Sequence, residues 1–190
     1  MYQKYQTEAL VLGSVERGEA DKVFALYTRD FGLVRARASA VRAERSRMRY
    51  AIQNYSCIHA ALVRGRRGWR VGGAIARTGP YGGIKSISVF ARIARLVLRL
   101  VAGEEKNEYL YTALAAAHGA LMDKKCEAQG AIELVCVARV LYALGYLSSE
   151  ALSTALFTHT AYTGESLLEA ETLRDKLLSS INKAIAETKL

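Results

Sequence analysis

Proline is nearly missing from this chain: Pro80 is the only one in 190 residues. It stands in Gly79-Pro80-Tyr81-Gly82-Gly83, so the one strong breaker cluster lies between two long stretches that nothing interrupts. Cysteine is scarce too. Cys57, Cys126 and Cys136 make no CxxC pair, which excludes the usual zinc knuckle or ribbon. An odd cysteine count without a signal-peptide pattern fits reduced thiols in a cytoplasm. His59, His118 and His159 are far apart and fall in different expected elements, so they are expected to be local structural residues. The Gly-rich patterns GxxxxGK[ST], GxGxxG and GxSxG are absent. The most apolar run, Ala131 to Leu147, carries Glu133 and Arg139 and is too short to span a bilayer. No residue set nominates a nucleophile or an acid–base pair. The expectation is a non-enzymatic protein with no cofactor.

What the chain does have is arginine, and it is unevenly placed. Residues 1–80 hold 15 Lys and Arg against 6 Asp and Glu, while residues 81–190 hold 12 of each, so the first 80 residues carry the whole net charge of +9. From Arg35 to Arg70 there are ten arginines, no lysine and one acid, Glu44. The run Gly32 to Arg49, GLVRARASAVRAERSRMR, starts with strict alternation. Val34, Ala36 and Ala38 fall on one side of an extended chain; Arg35, Arg37 and Ser39 fall on the other. Its second half has few apolar anchors and reads as a basic loop. A solvated strand edge guarded by charge is the plain alternative. The lopsided charge favours a polyanion-binding module joined to a neutral partner or scaffold module.

Around this run the pattern predicts five strands. They are Thr7–Ser14, Val23–Thr28, the Val34/Ala36/Ala38 segment, Ala51–Val63 and Trp69–Ala76. The stretch Glu16–Asp21 reads as a polar turn, Arg29 to Gly32 as a hairpin connection, and Arg64 to Gly68 as a basic turn. Trp69 is expected to pack its ring on the barrel and Arg70 to point to the opposite side. Five strands with two basic loops fit a small closed barrel of the oligonucleotide-binding (OB) type. Beyond the proline the periodicity turns helical: Ser86–Ala102, Asn107–Met122, Cys126–Gly145 with Gly145 as C-terminal cap, a short piece at Ser149–Leu156, and a last helix to about Glu187 begun by a Ser166-x-x-Glu169 capping box. Arg92, Arg95 and Arg99 share a stripe, read first as a solvated face. The fold class expected is α+β, with an OB barrel over residues 1–78, a linker at 79–84 and an all-helical domain over 85–190.

From Glu8 to Ala76 these residues resemble the bacterial RecO DNA repair proteins. The family pattern runs roughly strand, acid-x-Asp turn, strand ending in Thr, Gly, V-x-A-K-G-A-R, a basic-Ser segment, then G-x-L-Q-P-F. Here those positions carry Glu19 and Asp21, Thr28, Gly32, Ala38-Ser39-Ala40-Val41-Arg42, Ser46, and Tyr50-Ala51-Ile52-Gln53-Asn54-Tyr55. The family lysine is Ser39, its glycines are Ala40 and Tyr50, and its proline is Asn54. In the helical half, Glu133-Leu134 and Leu144-Gly145-Tyr146 match a family helix that ends in L-G-Y. The resemblance implies a recombination mediator that binds single- and double-stranded DNA and anneals complementary strands. It further implies work with RecR and single-strand binding protein in RecA loading. Many members carry a four-cysteine zinc site, whereas Ser148 to Ser166 here contains no cysteine.

The candidate nucleic-acid contacts are therefore Arg35, Arg37, Arg42, Arg45, Arg47 and Arg49, with Arg64, Arg66, Arg67 and Arg70 from the neighbouring hairpin. Tyr27, Phe31, Tyr50, Tyr55 and Trp69 offer either stacking faces or core. The location expected is the cytoplasm, on the nucleoid. Two other readings stay open. One is an OB-type RNA-binding or ribosome-associated module; the other is an assembly protein whose basic face docks on an acidic tail. No metal is expected, because the cysteines are unpaired in spacing. Metal analysis of protein purified without chelator should find less than one equivalent of zinc, and an equivalent held through dialysis would refute this.

Overall fold

A computed structural model describes residues 3–148 and 154–188. The chain forms two compact units, Met1–Tyr81 with Ala94–Glu108, and Gly82–Ile93 with Tyr109–Leu190. The first unit is built on five strands: β1 (Lys4–Arg17), β2 (Asp21–Thr28), β3 (Gly32–Ala38), β4 (Cys57–Gly65) and β5 (Gly68–Thr78). They close into a barrel in the order β1-β2-β3-β5-β4, the topology of an OB fold. A single turn of helix, α1 (Met48–Ala51), lies between β3 and β4.

Alternation along each strand fills the barrel. Ala9, Val11, Phe24, Leu26, Val34, Ala36, Ala38, Ile58, Ala60, Leu62, Trp69 and Val71 form one core, with Val41 and Ile52 added from the segment between β3 and β4. The small inward residues Ala9, Ala36, Ala38 and Ala60 leave room for the rings of Phe24 and Trp69. Trp69 meets Tyr5 at 5.5 Å and Phe31 at 5.2 Å between ring centroids, and Arg70 is exposed, as alternation requires.

The β2–β3 connection is closed by its own chemistry. Thr28 Oγ1 accepts from the Phe31 amide and donates to the Gly32 carbonyl. Gly32 has φ +65°, and a Cβ there would stand 2.1 Å from the Glu105 carbonyl oxygen, so glycine is needed twice over. The Leu33 amide donates to the Gly103 carbonyl, so the segment after the long helix belongs with the barrel.

Several expected strand boundaries move, two of them for a clear local reason. The first strand extends to Arg17, because Arg17 pairs with Asp21 and the turn shrinks to three residues around Gly18. The fourth strand starts at Cys57 and not at Ala51. Residues 48–51 are helical, Tyr55 has φ +66°, and Ser56 Oγ donates to the Gln53 carbonyl. A tight turn thus replaces the expected extended start, while Ile52 still reaches the core.

Helices α2 (Ile84–Leu100), α3 (Glu108–Met122), α4 (Gln129–Ala143), α5 (Gly164–Thr172) and α6 (Arg174–Glu187) follow. In the second unit α4 is buried around most of its circumference and packs on α5 and α6. It ends as expected at Gly145, with φ +79°. The Gly145 amide donates to the Tyr142 carbonyl and the Tyr146 amide to Leu141, the bond pair of a Schellman motif. The capping box is shifted from the expected place. Thr163 is the N-cap and Ser166 its reciprocal partner, whereas Glu169 accepts from Thr154 Oγ1. The expected single last helix is two, divided at Leu173. Of the short helix expected at Ser149–Leu156, residues 149–153 lie outside the described residues, and 154–156 are not helical.

Arg139 organises the segment before α5. It is 1% exposed, yet makes no ion pair with a carboxylate among the described residues. Its guanidinium donates to the carbonyls of Leu156 (2.9 Å), Thr160 (2.8 Å) and His159 (2.6 Å), and lies over the Tyr162 ring at 4.8 Å. Fork geometry and low hydration suit arginine, and not lysine, to gathering several carbonyls. Beside it, burial pushes the Cys136 thiol up to about 12, so this cysteine is inert packing. Arg139→Met would keep the apolar stem and orphan these carbonyls, at about 3 to 5 kcal/mol. Thermal unfolding should show the second unit melting earlier in Arg139→Met, and Arg139→Lys should fail to restore it.

Candidate nucleic-acid interface

The barrel closes through only two pairs between the parallel strands β3 and β5: Ala36 with Trp69 and Arg37 with Arg70. The first pair faces the core and the second faces out. Closure therefore sets two arginines side by side on the outer surface, with Arg35 two residues along the same face. Like charges directly opposite each other are destabilising by some tenths of a kcal/mol. Asp21 relieves part of this by accepting from Arg37 Nε at 2.7 Å.

Asp21 has a second task. Its Oδ1 accepts the Ala40 amide at 2.7 Å and so holds the chain as it leaves β3. Ala40 has φ +53°, a conformation that glycine adopts freely and alanine does not. The amide bond and the Arg37 guanidinium hold the Asp21 carboxyl below its ordinary value. The Arg42 amide then donates to the Ala20 carbonyl, and the Arg42 side chain reaches Glu16 at 3.2 Å and the Gly18 carbonyl at 3.4 Å. What sequence alone presents as a basic loop is thus pinned at its start to the β1–β2 turn.

At the other end of β5, Gly65 pairs with Gly68 around the two-residue tip Arg66-Arg67. Gly68, at φ +97°, supplies the turn conformation. Arg66 and Arg67 are exposed. Arg64 reaches Glu104 at 3.4 Å and lies over the Trp69 ring at 5.2 Å. Arg49 lies over the Tyr50 ring at 4.9 Å. Arg45 and Arg47 are exposed beside it along the chain. Of the ten candidate arginines, Arg37, Arg42 and Arg64 have acidic partners; Arg35, Arg45, Arg47, Arg49, Arg66, Arg67 and Arg70 have none among the described residues.

One cation escapes the sequence pattern. Lys22 pairs in register with Ala38 and shares the parity of Phe24 and Leu26, so it stands at the barrel rim on the inward side. With Arg42 and Arg49 it lines a cleft of about 320 Å³ whose remaining walls are Phe24, Val41 and Ile52. Strand parity was the available signal for it. The aromatic candidates divide: Tyr27 and Trp69 are core, Phe31 and Tyr55 are half-buried, and Tyr50 is 66% exposed. The Arg92 position of the helical stripe is taken up by a two-bond pair with Glu133, both bonds at 2.6 Å. His59 lies 3.9 Å from Glu8 on the barrel, and His118 is buried against Phe90, so the histidines do not gather. Among the described residues no group of three or more His, Cys, Asp or Glu could hold a metal, and no helix is long and apolar enough to cross a membrane.

Residues 1–70 match the family model described as recombination protein O N terminal. Over these residues the barrel is similar to the N-terminal domain of RecO proteins. The chain is 40% identical over 62 residues to the DNA repair protein RecO of Rubrobacter xylanophilus, covering 33% of this chain and 25% of the relative. Against RecO of Bifidobacterium animalis subsp. lactis it is 40% identical over 62 residues, with 33% and 26% covered. RecO of Pelotomaculum thermopropionicum is 33% identical over 110 residues, or 56% of this chain and 43% of that protein. The matched region thus spans a quarter to under half the length of these relatives. Within the RecO pattern, Asp21 is the Asp of the acid-x-Asp turn, and Ala40 occupies the position of the glycine, which explains why the pattern has glycine there.

This geometry generates a paired prediction. Ala40→Gly should remove the left-handed strain and stabilise the barrel by about 1 kcal/mol in denaturant unfolding. Asp21→Asn should speed hydrogen exchange at the Ala40 amide. In the unsubstituted protein the tether, resting on a lowered carboxyl pKa, is fully present above the ordinary aspartate range. It should be lost only as pH falls through the lower folded value. Protection that fades near pH 6 would overturn the assignment.

Proposed function

We propose that the barrel binds nucleic acid through its arginine track, as the DNA-engaging module of a non-enzymatic recombination mediator in DNA repair. The observation that carries this is the Arg37–Arg70 pair. Two cations held side by side on a strand surface, flanked by arginines without acidic partners, form a binding surface for a phosphate backbone. OB barrels use the faces of strands 2 and 3 and the 1–2 and 4–5 loops for oligonucleotides. Arg35 and Arg37 lie on β3, and Arg66 and Arg67 form the 4–5 loop. The relatives named DNA repair protein RecO support DNA as the polyanion. On this reading the protein binds single- and double-stranded DNA and anneals complementary strands. It assists RecA loading together with RecR and single-strand binding protein, in the cytoplasm on the nucleoid.

Phosphate contacts position a strand without reading bases, so affinity should vary little with sequence. If about five phosphates are neutralised, the log–log salt slope on single strands is roughly −3.5, a hundredfold weakening between about 50 and 200 mM salt. Because Arg37 also serves Asp21, the residues to replace are Arg35 and Arg70. Arg35→Ala with Arg70→Ala should cut the slope by about 1.4 and weaken all sequences alike. Unfolding free energy should move by no more than about 0.5 kcal/mol. A folded double variant with an unchanged slope sinks the track. Tighter binding to RNA than to single-stranded DNA would favour the RNA-binding reading instead.

A further inference from the structure

The cleft at the barrel rim has features that a backbone-tracking surface does not need. Lys22, Arg42 and Arg49 come from three different segments: the start of β2, the turn after β3, and α1. Sequence separation and packing bring them to one mouth. Arg42 is set by its amide bond to Ala20, and Arg49 rests on the Tyr50 ring. Arg42 is paired with Glu16 at 3.2 Å, while Lys22 and Arg49 have no ion-pair partner among the described residues. The interior end is shut. Phe24, Val41 and Ile52 are each 2–3% exposed and belong to the barrel core. A polymer cannot thread through such a cleft, but one unit can enter it. Its volume of about 320 Å³ is at the low end of small-molecule sites, enough for a single nucleotide and too small for a stacked run.

We infer that this cleft is a mononucleotide subsite, which seats one phosphate on Lys22, Arg42 and Arg49 at its mouth, above the closed floor formed by Phe24, Val41 and Ile52. The inference rests on the nucleic-acid reading above and adds to it a fixed anchor point. Along the outer track, phosphates lie on exposed arginines with no enclosing walls. In the cleft, three convergent cations hold one phosphate in a set place. A strand would enter by its end or by a nucleotide turned out of the stack, and either mode presents the same chemistry to the cleft.

Thymidine 5′-monophosphate tests this with the full chain, by calorimetry or by NMR shifts of the Lys22, Val41 and Arg49 amides. Saturable binding is expected at low salt, with thymidine lacking the phosphate at least tenfold weaker. Lys22→Ala and Arg49→Ala should each weaken the mononucleotide at least fivefold, while Arg174→Ala in the other unit leaves it unchanged. Circular dichroism melts establish that the variants are folded, and Arg49→Gln serves if Arg49→Ala is not. Oligonucleotides with and without a 5′-phosphate separate the two modes of entry: a fivefold preference for the phosphorylated strand assigns the strand end, and equal affinity assigns the turned-out nucleotide. The subsite is overturned if the mononucleotide does not bind, or binds the Lys22 and Arg49 variants as well as the unsubstituted protein. Salt-dependent binding of a long single strand is measured in parallel. If that persists while the mononucleotide fails, only the cleft is wrong; if both fail, the nucleic-acid reading falls with it.

Discussion

Two residue pairs close the barrel, and much else depends on them. Ala36 against Trp69 and Arg37 against Arg70 are the whole of the β3–β5 ladder. The inner pair works because Ala36 is small enough to let the Trp69 ring lie across the core, where Tyr5 and Phe31 complete its edge contacts. The outer pair then follows from parity alone, since residues next to inward ones must face out. A β5 strand closed one residue out of register would bury Arg70 and expose the tryptophan. Packing on the inside therefore sets the charge pattern on the outside. The cost of the like-charged pair is offset by the Asp21 bond to Arg37 and by hydrophobic burial in the neighbouring Ala36–Trp69 rung.

Asp21 extends this control to the loop. One carboxylate accepts from the Arg37 side chain and from the Ala40 backbone, and so joins strand, turn and loop at one point. Beyond it the chain carries Arg42, Arg45, Arg47 and Arg49 with few apolar anchors. Val41 and Ile52 supply two, each dropping into the barrel end. Fixed at its start and seated at two places, the loop keeps its arginines near the strand arginines and still leaves several side chains free to follow an irregular phosphate path. Such a balance suits sequence-independent binding, in which geometry varies from strand to strand.

The barrel was legible in the sequence because its strands alternate cleanly: Val34, Ala36 and Ala38 against Arg35 and Arg37 leave only one arrangement with a dry interior. The hairpin at Gly32 and the helix end at Gly145 were legible because each needs a backbone conformation that glycine adopts freely. Boundaries failed where local hydrogen bonds outweighed pattern. Ala51 to Ser56 continues into the apolar run of β4, yet α1 and the Gln53–Ser56 turn are stabilised by their own bonds. The capping box slipped from Ser166–Glu169 to Thr163–Ser166 because Thr163 offers an equivalent hydroxyl, while Glu169 is drawn off by Thr154. For the site, sequence supplied the cations and could not say which were neutralised. Glu16, Asp21 and Glu104 are remote in sequence from Arg42, Arg37 and Arg64, and only folding pairs them. Lys22 is an isolated charge in the sequence, and its company at the rim is made by tertiary structure.

The charge left over after these pairings carries the functional argument. A surface selected only for solubility intersperses both signs and keeps self-repulsion low. The stretch from Arg35 to Arg70 does the reverse, with a single acid in its length, while residues 81–190 balance to zero. The second unit shows that arginine in this chain can be put to structural use: Arg92 is matched to Glu133, and Arg139 is enclosed by carbonyls. Seven of the ten candidate arginines on the barrel are given no such partner among the described residues. Mutual repulsion makes that arrangement unfavourable in the isolated protein, and a polyanion laid across it removes the repulsion and releases its own counterions at once. An unmatched excess confined to one unit, on strands and turns that are themselves firmly held, is what a rigid platform for a phosphate backbone requires.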